Sequence, residues 1–345
     1  MTEKDKEIIG EDDKPLHPNS KLIKDVEFGP ITTIGVEGDV WATTWAGDDH
    51  TYAVFCDGSG FEMVPEEVST GFSVIYGMPP EISGENIKAS LEYKGGGPNG
   101  RKTSGILALN DGKENIIYMW IRNYNSKGGA TLAWSTDFCR NWTLATWCIE
   151  ELGHPSWVNA GKNYECAKDD YLYFYSPDQP NAYTASDHVI LGRVHKTDAR
   201  YKKSYEFFCG LDANGNPLWS TNFADRKPVL SDWGRCYRVY VDYIKGIDRY
   251  LLLTACGDGL CKEFRGSGKN LGIYEAPTPW GPWSTVYWTD HWDKRDNRFA
   301  PHVPAEWISE DGQSFYLVYS CYPQGSYKLN ALKVNLKLAE KNLEL

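Results

Sequence analysis

Asp39 and Asp57 are the residues whose type and spacing most clearly indicate chemistry. They lie at the two ends of a predicted hairpin and are equally distant in sequence from Asp48 in its polar turn. If the turn centres on Asp48, the two residues face each other with Cβ atoms roughly 4.5–5.5 Å apart. When two carboxylates lie this near each other, the pKa of at least one of them rises. Cleavage of a glycosidic bond needs such a protonated acid beside an ionised carboxylate. Asp39 and Asp57 are therefore candidate catalytic residues.

The same two residues also have a purely structural interpretation. Aspartate commonly ends strands and begins turns, so neither residue needs a chemical role to explain its position. A turn centred between Asp48 and Asp49 would shift the pairing by one residue and place the two carboxylates on opposite faces of the hairpin. The separation and orientation of the two carboxylates decide between the two interpretations.

The composition favours β-strands and excludes some classes of partner. Aromatic residues make up 14% of the 345 residues, with 14 Trp and 22 Tyr but only 4 Met, a mixture that suits strands and flat stacking surfaces. The net charge of −11 leaves no electrostatic basis for tracking phosphates, so we expect no nucleic-acid partner. We expect a monomer acting on a carbohydrate.

The chain contains no stretch of roughly 20 apolar residues, so we expect no membrane partner. Residues 1–24 are charged and polar, which predicts a disordered N-terminal tail ahead of a single domain over residues 25–345. They include no apolar signal region. The protein is thus expected to be secreted if a signal has been removed, and otherwise cytoplasmic. Nine cysteines include one close pair, Cys256 and Cys261, which would form a disulfide only in an oxidising compartment.

One strand pattern recurs five times along the chain. An apolar, aromatic strand is followed by a loop and by a strand of small and apolar residues. The first members are predicted at 51–56, 116–121, 171–175, 249–254 and 314–319, and the second at 71–76, 131–135, 188–194, 271–276 and 329–334. A further strand is predicted before each pair, at 41–45, 104–109, 156–163, 236–243 and 302–307. Regular repeats without a long amphipathic helix predict an all-β fold, a five-bladed β-propeller. A β-sandwich would not explain five similar units.

A propeller brings the ends of its inner strands to one mouth of the central channel. The polar residues placed there from innermost strands are Asp39, Lys102, Ser104, His154, Arg235, Tyr237 and His302, and those from second strands are Asp57, Arg122, Asp178 and Asp258. Carboxylates mixed with cationic and aromatic groups fit a pocket for a polyhydroxylated ligand. Trp41, Trp45 or Phe61 would add a stacking face. Lys102 and Arg235 equally fit ordinary salt bridges, and the histidines equally fit hydrogen-bonded channel residues.

Several segments of the sequence resemble one propeller family. They are GDVWATTWA at 38–46, FCDGSGF at 55–61, YSPD at 175–178, YEFFCGLD at 205–212, GRCYR at 234–238, IYEAP at 273–277 and PWGPW at 279–283. Over residues 30–335 the chain is similar to the proteins grouped as domain of unknown function 4185, part of which is glycoside hydrolase family 183, the endo-D-arabinanases. The resemblance implies a five-bladed propeller and a catalytic pair at Asp39 and Asp57. The sequence departs from the family in reading Phe-Cys-Asp-Gly where Phe-Gly-Asp is more usual.

A second likeness concerns residues 135–142, which read STDFCRNW. This segment resembles the Asp box of sialidase-type propellers, Ser-x-Asp-x-Gly-x-x-Trp, with Cys139 in place of glycine. The box is a structural turn, in which Asp137 would bond to its own backbone and Trp142 would pack between blades. It supports the fold and carries no chemistry.

The leading hypothesis is a glycoside hydrolase that acts on a polysaccharide or oligosaccharide, an arabinan-like glycan being one candidate. Asp39 would be the base and Asp57 the acid by analogy with other propeller hydrolases. Carboxylates roughly 6.5–9.5 Å apart would invert the anomeric configuration, and a separation near 5–5.5 Å would retain it. Arg235, Tyr237 and Lys102 would hold sugar hydroxyls or a carboxylate.

Two rival functions stay open at this level. The first is a polysaccharide lyase, in which His154, His302 or Tyr237 takes a proton and Arg235 neutralises a uronate. The second is a propeller that binds glycans without catalysis, since one fold supports many functions. No cofactor is expected, although a structural calcium in the channel is compatible with the fold; the sequence contains no Asp-x-Asp-x-Asp loop of the calcium type.

Overall fold

The computed structural model describes residues 15–34, 36–62, 67–94, 100–125, 128–256, 270–289, 292, 298–321 and 327–340. Its strands form five antiparallel sheets, which are the blades of the predicted five-bladed β-propeller. Predictions that fall on residues 1–14, on Asp258 and on the Cys256–Cys261 pair lie outside what the structure describes.

The strands follow one another blade by blade. The first strand is β1 (Ile23–Ile34), and blade 1 comprises β2 (Glu37–Trp45), β3 (Thr51–Gly60), β4 (Val68–Met78), β5 (Glu81–Asn86) and β6 (Tyr93–Lys94). Blade 2 comprises β7 (Lys102–Asn110), β8 (Asn115–Asn125), β9 (Gly128–Ser135) and β10 (Thr143–Leu144). Blade 3 comprises β11 (Ser156–Trp157), β12 (Tyr171–Pro177), β13 (Ser186–His195), β14 (Glu206–Leu211), β15 (Pro217–Ser220) and β16 (Pro228–Cys236).

Blade 4 comprises β17 (Arg238–Ile244), β18 (Arg249–Cys256), β19 (Asn270–Ala276) and β20 (Ser284–Thr289). Blade 5 comprises β21 (Arg298–His302), β22 (Ser314–Cys321), β23 (Lys328–Leu338) and β1. Short 3-10 helices in the described chain span Lys162–Tyr164, Lys202–Ser204, Phe223–Asp225, Lys245–Ile247 and Ala305–Trp307.

The two ends of the described chain close the ring. β1 pairs antiparallel with β23, with Ile23 opposite Leu338 and Ile34 opposite Leu329, so a strand from the N-terminal side completes the last blade. The ladder therefore holds the two ends of the ring together through backbone hydrogen bonds.

The prediction of a disordered tail reaching residue 24 is wrong for residues 15–24. The Thr285 amide donates a hydrogen bond to the Pro18 carbonyl (2.7 Å), and the buried Ser20 hydroxyl donates to Glu275 (2.7 Å). These backbone and side-chain bonds anchor the segment on blade 4, which its charged composition did not reveal.

Inner strands are buried on both faces because each blade packs against its neighbours. Every residue of β3 and β17 is buried. Large aromatic side chains fill the wedges between blades: Trp120 of blade 2 stacks on Trp157 of blade 3 with ring centroids 5.1 Å apart. The high aromatic content of the chain therefore contributes to inter-blade packing.

The predicted Asp box is confirmed as a structural turn. Asp137 accepts a hydrogen bond from the Asn141 amide (2.8 Å), and Trp142 packs against Phe72 of blade 1 with centroids 5.2 Å apart. Cys139, which stands where glycine is usual, has φ 68° and is fully buried.

Two of the predicted inner strands have different bounds in the structure. β21 ends at His302, where the prediction began a strand, and residues 305–307 form a 3-10 helix preceded by Pro304. In blade 3 the strand is only Ser156–Trp157, and the chain turns at Gly161 (φ 67°) into another 3-10 helix. Both segments are apolar enough to resemble strands, but their backbone turns away from the ladder.

Candidate active site

The hairpin of β2 and β3 has the first of the two turns that the sequence left open, but its aspartates do not pair directly. Trp45 pairs with Thr51 and Ala42 with Val54, as a turn centred on Asp48 requires. The register then shifts between Ala42 and Asp39, so Asp39 lies opposite Cys56 rather than Asp57. A β-bulge, which hairpin arithmetic cannot include, causes this shift.

Residues at and next to the two aspartates have left-handed backbone conformations. Val40 (φ 70°) and Trp41 (φ 44°) follow Asp39, and Asp57 itself has φ 47°. Such conformations are unfavourable for residues other than glycine, above all for a β-branched residue, and they cluster at functional sites. The Val40 amide is satisfied by the Ser320 hydroxyl of blade 5 (2.9 Å), so a neighbouring blade stabilises the bulge.

Gly58 makes the close approach of the two strands feasible. A Cβ atom at this position would lie 2.2 Å from the Glu37 carbonyl oxygen and 2.4 Å from the Gly38 Cα. Only glycine avoids that backbone clash. The Asp57–Gly58 dipeptide is therefore required by the geometry that positions Asp57 beside the bulge.

Asp39 is a buried carboxyl group whose proton is held unusually tightly. Its side chain is 6% exposed, and its Oδ1 has no hydrogen-bond partner within the described residues. Burial, followed by the nearby charge of Asp57, raises the pKa of Asp39 to about 6. Arg238, Lys102 and Arg122 oppose this rise. The group can therefore exchange a proton near neutral pH.

Asp57 experiences different electrostatics at the same site. It is buried and forms a direct ion pair with the Lys102 ammonium group, which is 1% exposed. Attraction between two opposite charges in direct contact offsets part of the cost of removing both from water. The site thus combines a carboxyl whose pKa is raised with a carboxylate that has a cation beside it.

Two arginines and two tyrosines form the cationic side of the site. Arg122 donates from Nε to the Thr103 carbonyl (3.1 Å) and from Nη1 to the Tyr183 hydroxyl (3.2 Å). Arg238 donates from Nη2 to the Tyr237 hydroxyl (3.0 Å), and its guanidinium lies 5.9 Å from the Tyr183 ring centroid. Tyr183 therefore lies between the two guanidinium groups.

Two histidines and a tyrosine form the adjacent part of the channel. The Tyr240 ring contacts His154 and His302, with centroids 5.9 and 5.2 Å away. Burial lowers the pKa of His302 to about 4, and burial together with the charges of Arg238 and Arg122 lowers the pKa of His154 well below its usual range. Both imidazoles are therefore neutral at neutral pH.

The predicted stacking residues do not present an open ring at this site. Trp41 is fully buried, stacks on Phe55 at 4.8 Å and bonds through Nε1 to the Gly38 carbonyl. Phe61 packs edge-on against Trp41. Trp45 lies at the opposite end of the hairpin, beside Asp49. Trp41 therefore offers no stacking face, because the bulge turns its ring into the core, whereas stacking by Trp45 or Phe61 stays a prediction.

Two other predicted residues have partners of their own in blades 3 and 4. Asp178 accepts hydrogen bonds from Arg226 Nε (2.9 Å) and Nη2 (2.7 Å). The Arg235 guanidinium lies 4.4 Å from the ring centroid of Trp288 in β20. In contrast, the predicted residues Lys102, Arg122, His154, Tyr237 and His302 lie near one another around the two aspartates, and their binding roles stay predictions.

Sequence analysis missed Arg238, Tyr240 and Tyr183. Arg238, Tyr240 and Asp242 alternate along the fully buried strand β17, and this polar alternation within an apolar strand was a signal for a channel-facing row. Tyr183 lies in the connection between β12 and β13, where no periodicity marks a side chain as part of a site.

Among the described residues, no group of three or more His, Cys, Asp and Glu side chains could hold a metal ion. Within the same residues no helix is long and apolar enough to span a bilayer.

Comparison with known proteins shows the fold. No family model matches the chain, and no curated protein matches it. The α-L-arabinofuranosidase PaAbf62A from Podospora anserina, solved with cellotriose, is 12% identical over 92% of this chain and 99% of that chain, with a TM-score of 0.51. A GH43_1 enzyme from Xanthomonas citri, solved with xylotriose, is 11% identical over 89% of this chain and 91% of that chain, with a TM-score of 0.49. The chain has the propeller fold of glycoside hydrolases.

Asp242 provides a prediction about stability that is separate from the chemistry. It is buried in the channel, and its Oδ2 accepts a hydrogen bond from the Val303 amide (3.1 Å). Burial raises the pKa of Asp242 to about 8. Because the native state keeps a proton that the unfolded chain loses above about pH 4, this residue lowers the free energy of unfolding by up to about 1.4 kcal/mol per pH unit as the pH rises from about 4 to 8.

We therefore expect Asp242→Asn to remove this part of the pH dependence and to be more stable than the wild type near pH 8. Urea unfolding at several pH values measures the effect, with the exposed Glu310→Gln as the matched control. Parallel pH dependences in the wild type and Asp242→Asn would contradict the prediction.

Proposed function

We propose that the protein is a glycoside hydrolase in which Asp39 and Asp57 act as the carboxylate pair. The observation that carries the proposal is the electrostatic difference between two carboxylates at one buried site. Burial raises the pKa of Asp39 to about 6, whereas Asp57 is ion-paired with Lys102. Glycosidases separate their two carboxyl groups into an acid and a charged partner in this way.

The electrostatics favour Asp39 as general acid and Asp57 as the ionised base or nucleophile. This reverses the assignment made by analogy with other propeller hydrolases. The raised pKa of Asp39, about 6, lets it hold a proton at a higher pH than an ordinary aspartate and deliver that proton to a leaving oxygen. Asp57, beside Lys102, is suited to activate a water or to attack the sugar directly.

The substrate we propose is a polysaccharide or oligosaccharide that enters the channel mouth. Arg122, Tyr183, Tyr237 and Arg238 offer hydrogen-bonding groups there, and Tyr183 is the half-buried aromatic ring beside the two guanidiniums. The resemblance to glycoside hydrolase family 183 makes arabinan a candidate substrate. The arabinofuranosidase with the same fold makes arabinose-containing glycans a wider group to test.

Product analysis tests the proposal directly. The purified protein is incubated with a panel of plant, bacterial and animal glycans, and new reducing ends are identified by mass spectrometry and proton NMR. We expect products that have gained one water, and the first anomer formed reveals inversion or retention. Product formation that is equal in wild type, Asp39→Asn and Asp57→Asn would overturn the assignment.

A lyase is the second candidate, and one observation favours it. The Tyr237 hydroxyl accepts a hydrogen bond from Arg238, so a tyrosine that can act as base lies beside a cation that can neutralise a uronate. Elimination would yield an unsaturated product with strong ultraviolet absorbance, whereas hydrolysis yields none. Binding of a glycan without formation of any product would instead support a propeller that binds glycans without catalysis.

A further inference from the structure

Arg122 and Arg238 are buried guanidinium groups that bond only to neutral partners within the described residues. Arg122 is 1% exposed and donates to the Thr103 carbonyl and the Tyr183 hydroxyl. Arg238 is 4% exposed and donates to Tyr237, while its Nε and Nη1 atoms have no hydrogen-bond partner there. Burying a cation without a counter-charge is costly, so such groups commonly meet an anion in the functional state.

The local balance of charge is positive. Lys102, Arg122 and Arg238 all act on Asp39, against the single nearby carboxylate of Asp57. Asp57 already pairs with Lys102, and Asp39 is uncharged whenever it carries its proton. The two guanidiniums then have no compensating carboxylate. This local excess contrasts with the net charge of −11 for the whole chain.

Neutral polar atoms adjoin the two guanidiniums. Both ring nitrogens of His154 and the Tyr240 hydroxyl are buried without hydrogen-bond partners in the described structure. The guanidiniums can bind a charged group, and the neutral donors and acceptors can bind hydroxyls. A sugar that carries an anionic group matches this combination better than a bare ion or a neutral sugar.

We propose that the site binds an anionic glycan, whose sugar carboxylate or sulfate is held by Arg122 and Arg238. The inference rests on the proposed function, because it names the substrate class of the same site. It departs from arabinan, which is uncharged, and it predicts that affinity depends on charge and on salt concentration.

Binding to the Asp39→Asn protein tests this inference without any need for turnover. The probes are oligogalacturonides and their carboxyl-reduced forms, and carrageenan oligosaccharides and their desulfated forms, measured by calorimetry at low and high salt. We expect the charged member of at least one pair to bind about tenfold or more tightly than its uncharged counterpart. The preference should shrink at high salt and be lost when Arg238→Gln is added.

Two further variants keep the test interpretable. Arg238→Lys, which keeps the charge, should retain part of the preference, and Arg140→Gln, at an exposed arginine outside the site, should leave it unchanged. Thermal unfolding of each variant separates loss of binding from loss of fold. Equal binding of charged and uncharged members, no binding of any charged probe, or a preference that survives Arg238→Gln in a folded protein overturns the inference.

The outcome also separates this inference from the proposed function. A preference for charged probes without hydrolysis by the wild type would remove the hydrolase assignment and keep the anionic ligand. Hydrolysis of an uncharged glycan without any charge preference would keep the hydrolase and remove the anionic ligand.

Discussion

Asp39→Asn is expected to lower kcat/KM by roughly 10²–10⁴-fold, the usual contribution of a general acid. The substitution keeps the shape of the side chain and removes the proton that the leaving oxygen needs. Steady-state kinetics on the glycan identified by product analysis measures the loss. Asp49→Asn, at an exposed position of the same hairpin, is the matched control and should keep full activity.

The pH profile should identify the acid. Because Asp39 must be protonated and its pKa is raised to about 6, wild-type kcat/KM should fall about tenfold per pH unit above that value. Asp39→Asn should lack this alkaline limb. Full activity in the variant, or an alkaline limb that persists unchanged, would show that another group supplies the proton.

Stability distinguishes loss of chemistry from loss of fold. Since burial raises the pKa of Asp39, the native state holds a proton that the unfolded chain releases, and stability falls as the pH rises from about 4 to 6. Asp39→Asn removes this cost and should unfold at an equal or higher urea concentration than the wild type at neutral pH. An inactive variant that is also less stable would indicate a structural role instead.

Lys102→Met is expected to destabilise the protein by about 3–5 kcal/mol. Lys102 is fully buried and pairs with Asp57, so the substitution removes a buried positive charge that lies against the Asp57 carboxylate. The methionine fills a similar volume, so the lost charge rather than a cavity dominates the effect. Urea unfolding at neutral pH measures the change in free energy.

A double variant separates charge from packing at this pair. Lys102→Met combined with Asp57→Asn removes both charges, and it should recover most of the stability that the single substitution loses. Lys113→Met, at an exposed position of the same blade, should change stability by less than about 0.5 kcal/mol. A double variant as unstable as Lys102→Met would show that packing, and not the missing charge of Lys102, determines the loss.

Local features of the sequence were sufficient to predict the architecture and some of the residues near the site. Strand periodicity and the position of each turn are properties of short segments, so the repeats predicted five blades and the hairpin turn at Asp48. The ends of inner strands converge in any propeller, which is why Lys102 and Arg122 lie near Asp39 and His154 lies near Arg122; their binding roles stay predictions. Burial cannot be assigned from such patterns, and Trp41 was therefore mistaken for a stacking surface.

The sequence by itself determined the repeating strands and the placement of Asp39 and Asp57 at one end of the first hairpin, because both follow from local spacing. Only the tertiary structure decided how the two carboxylates differ and which cations surround them. The bulge beside Asp39 is bonded to Ser320, 280 residues away, and Arg238 reaches the site from another blade. A pKa depends on burial and on charges brought together through space, and neither quantity is encoded in the spacing of neighbouring residues.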